Sequence, residues 1–216
     1  MNQPSAQYYL ETLEVGPLQV NCYLLGCEKT RAAVVIDPAG DAPIILAAIE
    51  RRRALVTAIL LTHGHYDHLG AVSEIKAYCH APIMIHRLDA ECLTNPMINL
   101  SALTGDNLVC PPADRLLEEG DTVAFGEFNL KVLHTPGHTR GSASFVFDQS
   151  VFGGDLLFYG SIGRTDLPGG SFDEIERSIV RKIYTLPDDY IVYPGHGEPT
   201  TVGFERKHNA FVRHSA

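Results

Sequence analysis

Three histidines and an aspartate crowd into six positions of the stretch LLTHGHYDHLG, residues 60–70. An apolar run precedes them, which predicts that they follow directly on the end of a strand. Imidazole and carboxylate are the usual ligands of zinc and of other borderline divalent metals. The pattern admits two interpretations, a solvated polar loop or a metal site.

The spacing inside this motif favours two ions rather than one. Residues two apart on an extended segment point to the same side, so His63 and His65 can hold one ion together. Asp67 and His68 come after the chain has turned, and can face a neighbouring ion. Gly64 is expected to supply a backbone conformation that most other residues resist.

Three further predicted strands run into loops of the same kind: LKVLHTPGH, VFGGD and IVYPGHG. In open α/β sheets, ligands collect beyond the carboxyl ends of the strands, where the loops can converge. A single tetrahedral ion needs only three or four protein ligands, so a larger set indicates two ions that share a carboxylate. The candidate metal ligands are His63, His65, Asp67, His68, His138, Asp155 and His196.

The rest of the chain predicts a mixed α/β domain with two similar halves. The first half indicates the strands QYYLETLEV, VNCYLLGC, AAVVIDP, LVTAILLT and APIMIH. Its helices are expected to begin after Asp41 as N-cap, with Pro43 just inside, and at Gly70, the latter running to about Cys79. RLDAECL indicates a further short helix. A long loop, residues 95–113, joins the halves.

The second half indicates the strands DTVAF, FNLKVLHT, SASFVFD, SVFGGD and YIVYPG. A helix is expected at about Phe172–Tyr184, and a short helical tail after the last strand. With 216 residues, 45% of them hydrophobic, the chain suits one domain over residues 1–216.

Composition narrows the class of function. The formal net charge of −9 argues against a nucleic-acid or anionic-membrane partner, since both favour a basic face. The five cysteines form no C-x-x-C pair, which predicts free buried thiols. The N-terminus does not have the pattern of a signal peptide, and no apolar run approaches the roughly 20 residues that span a membrane. These features predict a cytoplasmic location.

Taken in order, these motifs resemble the metallo-β-lactamase superfamily. Its H-x-H-x-D-H signature stands at residues 63–68, followed by PGHT, GGD and YPGHG. The resemblance implies an α/β fold, an αββα four-layer sandwich of two mixed sheets flanked by helices, with the metals at one edge. It implies that the first ion binds His63, His65 and His138, the second binds Asp67, His68 and His196, and Asp155 bridges them. The expected cofactor is two divalent metal ions, zinc ahead of iron or manganese.

Two divalent ions about 3.5–4 Å apart generate hydroxide from water at neutral pH and polarise a substrate oxygen. A thiolate leaving group, with a thiol pKa of about 8.5, needs little help from a general acid, so thioesters suit such a site. Asp67 and Asp155 are candidate catalytic residues that could relay a proton, or they could act as metal ligands only.

Within the superfamily, the stretches GDLLFYGSIGRTDLPGGS (154–171) and GFERKHNAF (203–211) resemble the short, single-domain glyoxalase II-like branch. That resemblance implies hydrolysis of S-lactoylglutathione, or of a related hydroxyacylglutathione, as the small-molecule thioester substrate. Longer glyoxalase II enzymes grip glutathione through a C-terminal helical domain, whereas this chain ends 20 residues after His196.

Arg164 and Tyr159 are the candidate substrate-binding residues. Arg164 stands at the loop where the longer enzymes have a basic residue, but Asp166 replaces their aromatic residue two positions on. Arg164 could pair with a substrate carboxylate or form a salt bridge with Asp166 or Asp173. Tyr159 could line the pocket or pack in the core.

Two other functions stay open. Persulfide dioxygenases of the same superfamily share the GRTD stretch at residues 163–166, and use one iron held by counterparts of His63, His138 and Asp155. A metal-binding protein without catalysis would be expected to have a damaged site, and every expected ligand is present. His134 is expected to be a strand residue and not a ligand. The remaining histidines fit no site and are expected to be surface or hydrogen-bonded residues: His80, His86, His208 and His214.

Overall fold

Two six-stranded sheets lie face to face at the centre of the structure, a computed structural model that describes residues 8–213. The first sheet contains, in spatial order, β1 (Tyr8–Val15), β2 (Val20–Cys27), β3 (Ala32–Ile36), β4 (Leu55–Leu60), β5 (Ile83–His86) and β6 (Arg115–Leu117). Strands β1 to β3 pair antiparallel, and β3 to β6 pair parallel. The sheet is therefore mixed.

The second sheet is built from β7 (Thr122–Phe125), β8 (Phe128–His134), β9 (Ala143–Phe147), β10 (Ser150–Gly154), β13 (Ile191–Pro194) and β14 (Thr200–Thr201). Its order is β14-β13-β10-β9-β8-β7. Because β9 is antiparallel to both β8 and β10, and β10 is parallel to β13, strands β8, β10 and β13 run in the same direction. A small hairpin of β11 (Leu157–Phe158) and β12 (Ser161–Ile162) follows β10.

Helices cover the outer face of each sheet. On the first sheet lie α1 (Ala42–Arg52) and α2 (Val72–Cys79); on the second lie α3 (Phe172–Ser178), its π-helical continuation Ile179–Ile183, and α4 (Val202–His208). Short 3-10 turns occur at Tyr66–His68, Arg87–Leu93 and Ser101–Leu103. The layers are helix, sheet, sheet and helix, which confirms the predicted αββα sandwich of two mixed sheets.

Strand β3 is apolar at every position because both of its faces are covered. Ala33 and Val35 pack against α1 and α2, whereas Val34 and Ile36 face the second sheet. A strand covered on both faces needs apolar residues at every position rather than at alternate ones. Between the sheets, Phe125, Phe145 and Phe152 fill the core, and all are almost completely buried.

Several local expectations change. Asp41 does precede α1, but its side chain accepts the Gly16 N–H at 2.8 Å instead of capping the helix. The helix predicted at Phe172–Tyr184 is α-helical only to Ser178, and strands β6, β11, β12 and β14 were not predicted. All five cysteines are free, and four of them are buried.

Across residues 8–213, no helix has both the length and the apolar character required to cross a membrane. The expectation for His214 lies outside the described residues.

Candidate metal centre

The seven candidate ligands lie together at the edge of the sandwich where four strands end. His63 and His65 follow β4, and the 3-10 turn after them carries Asp67 and His68. The other three lie in the loops after β8, β10 and β13: His138, Asp155 and His196. The carboxyl ends of these strands converge because β8, β10 and β13 run in one direction.

The donor atoms form three overlapping groups, and within each group all donors lie within 4.8 Å of one another. The groups are His63, His65 and His138; His63, His68 and Asp155; and Asp67, His68 and His196. The first and third are the same sets that the family resemblance implies for the two ions. These clusters are consistent with divalent metal binding.

Asp155 lies between the two groups. Its Oδ1 is 3.4 Å from His68 Nε2, and its Oδ2 is 3.5 Å from His138 Nε2 and 3.8 Å from His196 Nε2. Two ligands of one tetrahedral ion, each about 2.0–2.1 Å from it, lie about 3.4 Å apart. Asp155 thus has the geometry of a carboxylate shared between two ions.

Three buried atoms of this cluster have no hydrogen-bond partner among the described residues: His63 Nε2, His68 Nε2 and Asp155 Oδ1. Buried polar atoms are nearly always paired, because leaving one unpaired costs roughly 1–3 kcal/mol. All three point into the cluster, where a cation would satisfy them. The residues therefore fit a pair of metal ions.

The ring nitrogens of His138 and His196 that face away from the cluster also support a metal site. His138 Nδ1 lies 2.8 Å from the Arg164 carbonyl oxygen, and His196 Nδ1 lies 3.0 Å from the Leu18 carbonyl oxygen. A carbonyl can only accept, so each Nδ1 carries the proton and each Nε2 presents a lone pair to the cluster. Such outer contacts fix the tautomer and orientation of metal-binding histidines.

Asp37, at the end of β3, was not predicted as a site residue. Its Oδ2 accepts hydrogen bonds from His68 Nδ1 at 3.0 Å and from the Thr62 hydroxyl at 2.6 Å, and Thr62 in turn lies 3.1 Å from His63 Nδ1. It therefore orients one candidate ligand directly and another through Thr62. The only sequence signal was an acidic residue after a wholly apolar strand, which also suited an Asp-Pro turn.

The second unpredicted residue is Asp89, in the 3-10 turn after β5. It is 3% exposed and accepts three hydrogen bonds, from Gly64 N, Gly141 N and the Thr139 hydroxyl. Burial raises the pKa of this carboxyl, although those three hydrogen bonds act in the opposite direction. Its partners are 25 and about 50 positions away, so no local pattern could have revealed them.

Burial and mutual charge set the protonation of the cluster. Burial lowers the pKa of His65 to about 3, with help from the neighbouring His138, and lowers that of His63 as well. Burial alone would raise the pKa of Asp155, but the charges of the surrounding histidines outweigh it and keep that carboxyl ionised. Burial lowers the pKa of His68 too, but the carboxylates of Asp155 and Asp37 outweigh it and raise that pKa, so a divalent ion would take the place of a proton there. At His63 and His65 the neutral form, which is the form that binds a metal ion, is already favoured.

Gly64 is required for a different reason from the one expected. Its φ lies outside the left-handed region, so it does not adopt a conformation reserved for glycine. A Cβ at this position would instead lie 2.3 Å from Cys92 Cβ and 2.6 Å from Cys92 Sγ. The chain needs glycine here because the 3-10 turn carrying Asp89 packs directly against the His-Gly-His segment.

A cavity of about 480 Å³ opens onto the donors. Arg164 lines this cavity, but its guanidinium binds both carboxylate oxygens of Asp166 at 2.8 Å, the second of the two alternatives considered above. Tyr66 also lines it. The structure does not bring Tyr159 to the cavity: this residue is at the tip of the β11–β12 hairpin, 53% exposed and stacked on Phe204.

The histidines assigned to no site lie away from the donors. His86 and His134 stack with ring centroids 3.9 Å apart, and His134 Nε2 lies 2.8 Å from the Arg140 carbonyl. His80 ends α2, and His208 lies at the end of α4 beside Phe204.

Residues 15–196, which include every candidate ligand, match the family model of the metallo-β-lactamase superfamily. The chain belongs to this superfamily. Among curated relatives, it is 37% identical to the probable metallo-hydrolase YqgX of Bacillus subtilis, over 93% of this chain and 95% of that protein. It is 35% identical to the hydroxyacylglutathione hydrolase GloC of Haemophilus influenzae, over 94% and 97% respectively.

Solved structures of the superfamily agree with the fold over nearly the whole chain. The BLEG-1 B3 metallo-β-lactamase superposes with a TM-score of 0.90 at 40% identity, covering 94% of this chain and 99% of that one. The protein TTHA1623, in a di-iron-bound form, gives 0.80 at 38%, covering 94% and 100%. ETHE1 from Myxococcus xanthus gives 0.79 at 30%, covering 94% and 83%.

Proposed function

We propose that this superfamily member is a binuclear metallohydrolase that cleaves a thioester, with S-lactoylglutathione or a related hydroxyacylglutathione as substrate. The observation that carries the proposal is the position of Asp155 between two groups of donors, each of which contains one buried histidine nitrogen without a hydrogen-bond partner, His63 Nε2 in the first and His68 Nε2 in the second. The similarity to the GloC hydroxyacylglutathione hydrolase, over 94% of the chain, supports the substrate class.

Two divalent ions in this site would lower the pKa of water and polarise the thioester carbonyl. The chain itself supplies their ligands and the cavity above them. Asp67 and Asp155 both face histidine nitrogens, with Asp67 Oδ2 3.4 Å from His196 Nε2. We therefore assign both aspartates as ligands rather than as free proton carriers. Hydrolysis does not need such a carrier, because a thiolate leaves readily at neutral pH.

We favour zinc as the resident metal, since imidazole with carboxylate suits it. The same donors accept iron or manganese, and the di-iron form of TTHA1623 makes iron a specific alternative to test.

The test is hydrolysis of S-lactoylglutathione by protein loaded separately with zinc, manganese and iron. We expect turnover with at least one metal, release of free glutathione, and two ions bound per chain. The Asp155→Asn variant should bind at least one ion fewer and lose turnover, while its far-ultraviolet circular dichroism stays unchanged. A folded protein that binds two ions and hydrolyses no thioester would overturn the proposal.

A persulfide dioxygenase is the second candidate, favoured by the GRTD stretch at residues 163–166. That activity would need one iron, held by His63, His138 and Asp155. It would leave the assembled group of Asp67, His68 and His196 without a role, which is why we prefer the hydrolase. Oxygen uptake with glutathione persulfide by the iron-loaded protein, without thioester cleavage, would reverse this preference.

A further inference from the structure

Four of the residues that line the cavity above the metal donors are leucines: Leu18, Leu100, Leu103 and Leu167. The first three are here called the leucine wall, and Tyr66 and Thr104 line the cavity with them. Leu18 is 49% exposed and Leu103 is 74% exposed, although both are large apolar residues. A single exposed leucine needs no explanation, but several that converge on a cavity next to catalytic donors indicate an apolar ligand.

The backbone holds this wall in a fixed position. Leu100 has a φ of 72°, in the left-handed region that leucine rarely adopts. The preceding Asn99 fixes it: its side chain donates to the Cys92 and Leu108 carbonyls at 2.8 and 3.0 Å and accepts from Ser101 N at 3.0 Å. Backbone strain that the surroundings maintain is concentrated at binding and catalytic sites.

The wall is also hydrogen-bonded directly to the metal-site loops. The Asn99 carbonyl accepts the Tyr66 N–H at 2.9 Å, between candidate ligands His65 and Asp67. On the other side, the Leu18 carbonyl is the hydrogen-bond partner of His196. The distance between the leucine side chains and the donor cluster is therefore set by the fold and does not depend on a mobile lid.

Charge around the cavity disfavours a strongly anionic group against this wall. Among the described residues that line the cavity, Arg164 is the only lysine or arginine, and it is already paired with Asp166 through two hydrogen bonds. Glutathione carries two carboxylates. Nothing on the leucine wall can pair with them, whereas an alkyl chain would remove both its own surface and that of the leucines from water.

We propose that the leucine wall binds the acyl chain of the substrate, so that the preferred thioester carries an acyl group longer and more apolar than lactoyl. This inference rests on the proposed thioester hydrolysis. Water splits the C–S bond in that reaction: its oxygen enters the carboxylic acid, and the thiol leaves with a proton. The wall takes no part in the bond-breaking and selects the acyl group by burial alone.

The first test compares acyl groups on one thiol. S-acetyl-, S-lactoyl-, S-butanoyl- and S-hexanoylglutathione are assayed with the metal-loaded protein. Each fully buried methylene group improves binding about fourfold, and each methylene group that is half-buried in an open cavity improves it about twofold. We expect kcat/KM to rise about tenfold or more from acetyl to hexanoyl. Equal values across the series, with measurable hydrolysis, would overturn the inference and leave the proposed function standing.

The second test uses matched variants. Leu103→Ser should lower the hexanoyl-to-acetyl ratio of kcat/KM by about fivefold, because it removes apolar surface from the wall. Leu88→Ser is the control: Leu88 is also an exposed leucine, 45% accessible, and lies outside this cavity. A ratio that changes equally in both variants would contradict a specific role for the wall.

The third test is independent of turnover. Calorimetry with the metal-loaded protein should show that S-hexylglutathione binds about tenfold more tightly than S-methylglutathione, and that Leu103→Ser removes most of the difference. If no thioester is hydrolysed but this difference in affinity is observed, the proposed function fails and the apolar subsite stands.

A fourth test compares two thioesters that carry the six-carbon chain on opposite sides of the sulfur, S-hexanoyl ethanethiol and S-acetyl hexanethiol. A preference for the latter would assign the wall to the thiol and overturn the acyl assignment.

Discussion

The carboxylate of Asp89 accepts the backbone N–H of Gly64 at 3.0 Å, in the middle of the His63-Gly64-His65 motif. The same carboxylate accepts hydrogen bonds at 2.7 Å from the Thr139 hydroxyl and from Gly141 N, on the loop that carries His138. One buried side chain thus joins the two loops that supply the three histidines of the first metal group. The relative position of those histidines is set by the protein alone, as a preorganised site requires.

Replacing Asp89 by alanine should weaken binding of the first ion. The change leaves the backbone N–H groups of Gly64 and Gly141 without this partner, which we expect to destabilise the protein by about 2–4 kcal/mol. Loss of an outer-shell partner commonly lowers metal affinity about 10- to 100-fold. Competition with a chromogenic chelator measures the dissociation constant of each of the two ions. We expect the substitution to raise one of these two constants much more than the other.

Glu91→Ala is the matched control, since Glu91 is an exposed carboxylate in the same 3-10 turn. It should leave both metal affinities and the melting temperature nearly unchanged. Unchanged metal binding in a folded Asp89→Ala variant would contradict the role assigned to Asp89.

Asp37→Asn should weaken the second group, because Asp37 accepts from His68 Nδ1 and a neutral amide stabilises the bound imidazole less. The backbone at Asp37 has a φ of 50°, which asparagine tolerates, so the substitution tests charge rather than strain. We expect about 10- to 100-fold weaker binding of one ion, measured by chelator competition. Asp148→Asn changes another left-handed aspartate, exposed and distant from the donors, and should have no effect.

Gly64→Ala should disrupt the first metal group, since the new Cβ would overlap the side chain of Cys92. Cys92→Gly removes the overlapping atoms, so the double variant should recover metal content even if it loses some stability from the cavity. Inductively coupled plasma spectrometry of the purified proteins measures this recovery. A double variant as depleted of metal as Gly64→Ala would show that glycine is needed there for some other reason.

The pattern of apolar runs and polar loops predicted a mixed α/β domain and the seven candidate ligands, whereas the αββα layers were implied by the resemblance to the metallo-β-lactamase superfamily. Apolar runs that end in His or Asp identify strands and the residues at their carboxyl ends. The direction of β8, β10 and β13 then brings His138, Asp155 and His196 to the same edge. That candidate ligands far apart in sequence lie together was therefore predictable from their positions relative to strands.

Asp37, Asp89 and the leucine wall were not predictable in this way. Their roles depend on contacts across tens of residues, such as Asp89 with Gly141, and on packing distances of a few tenths of an ångström. The same limit applies to Arg164, for which the sequence left open a substrate carboxylate, Asp166 and Asp173 as partners. The structure shows a bidentate pair with Asp166.

Removing the metals should destabilise the fold markedly. Without cations, the carboxylates of Asp67 and Asp155, whose side chains are only 14% and 13% exposed, lie beside the buried, unpaired nitrogens of His63 and His68. An ion that binds only the folded state stabilises it by about 4 kcal/mol when its free concentration is 1,000 times its dissociation constant. For a chain of this size each kcal/mol corresponds to about 2–4 °C, so chelation should lower the melting temperature by about 8–16 °C for each ion lost.

Thermal unfolding followed by circular dichroism, before and after dialysis against a chelator, measures this shift in melting temperature. Restoring zinc should reverse it, and the Asp155→Asn variant should show a smaller shift than the unmodified protein. Equal melting temperatures with and without chelator, in protein shown to have lost its metal, would mean that the donors form no ion-dependent part of the fold.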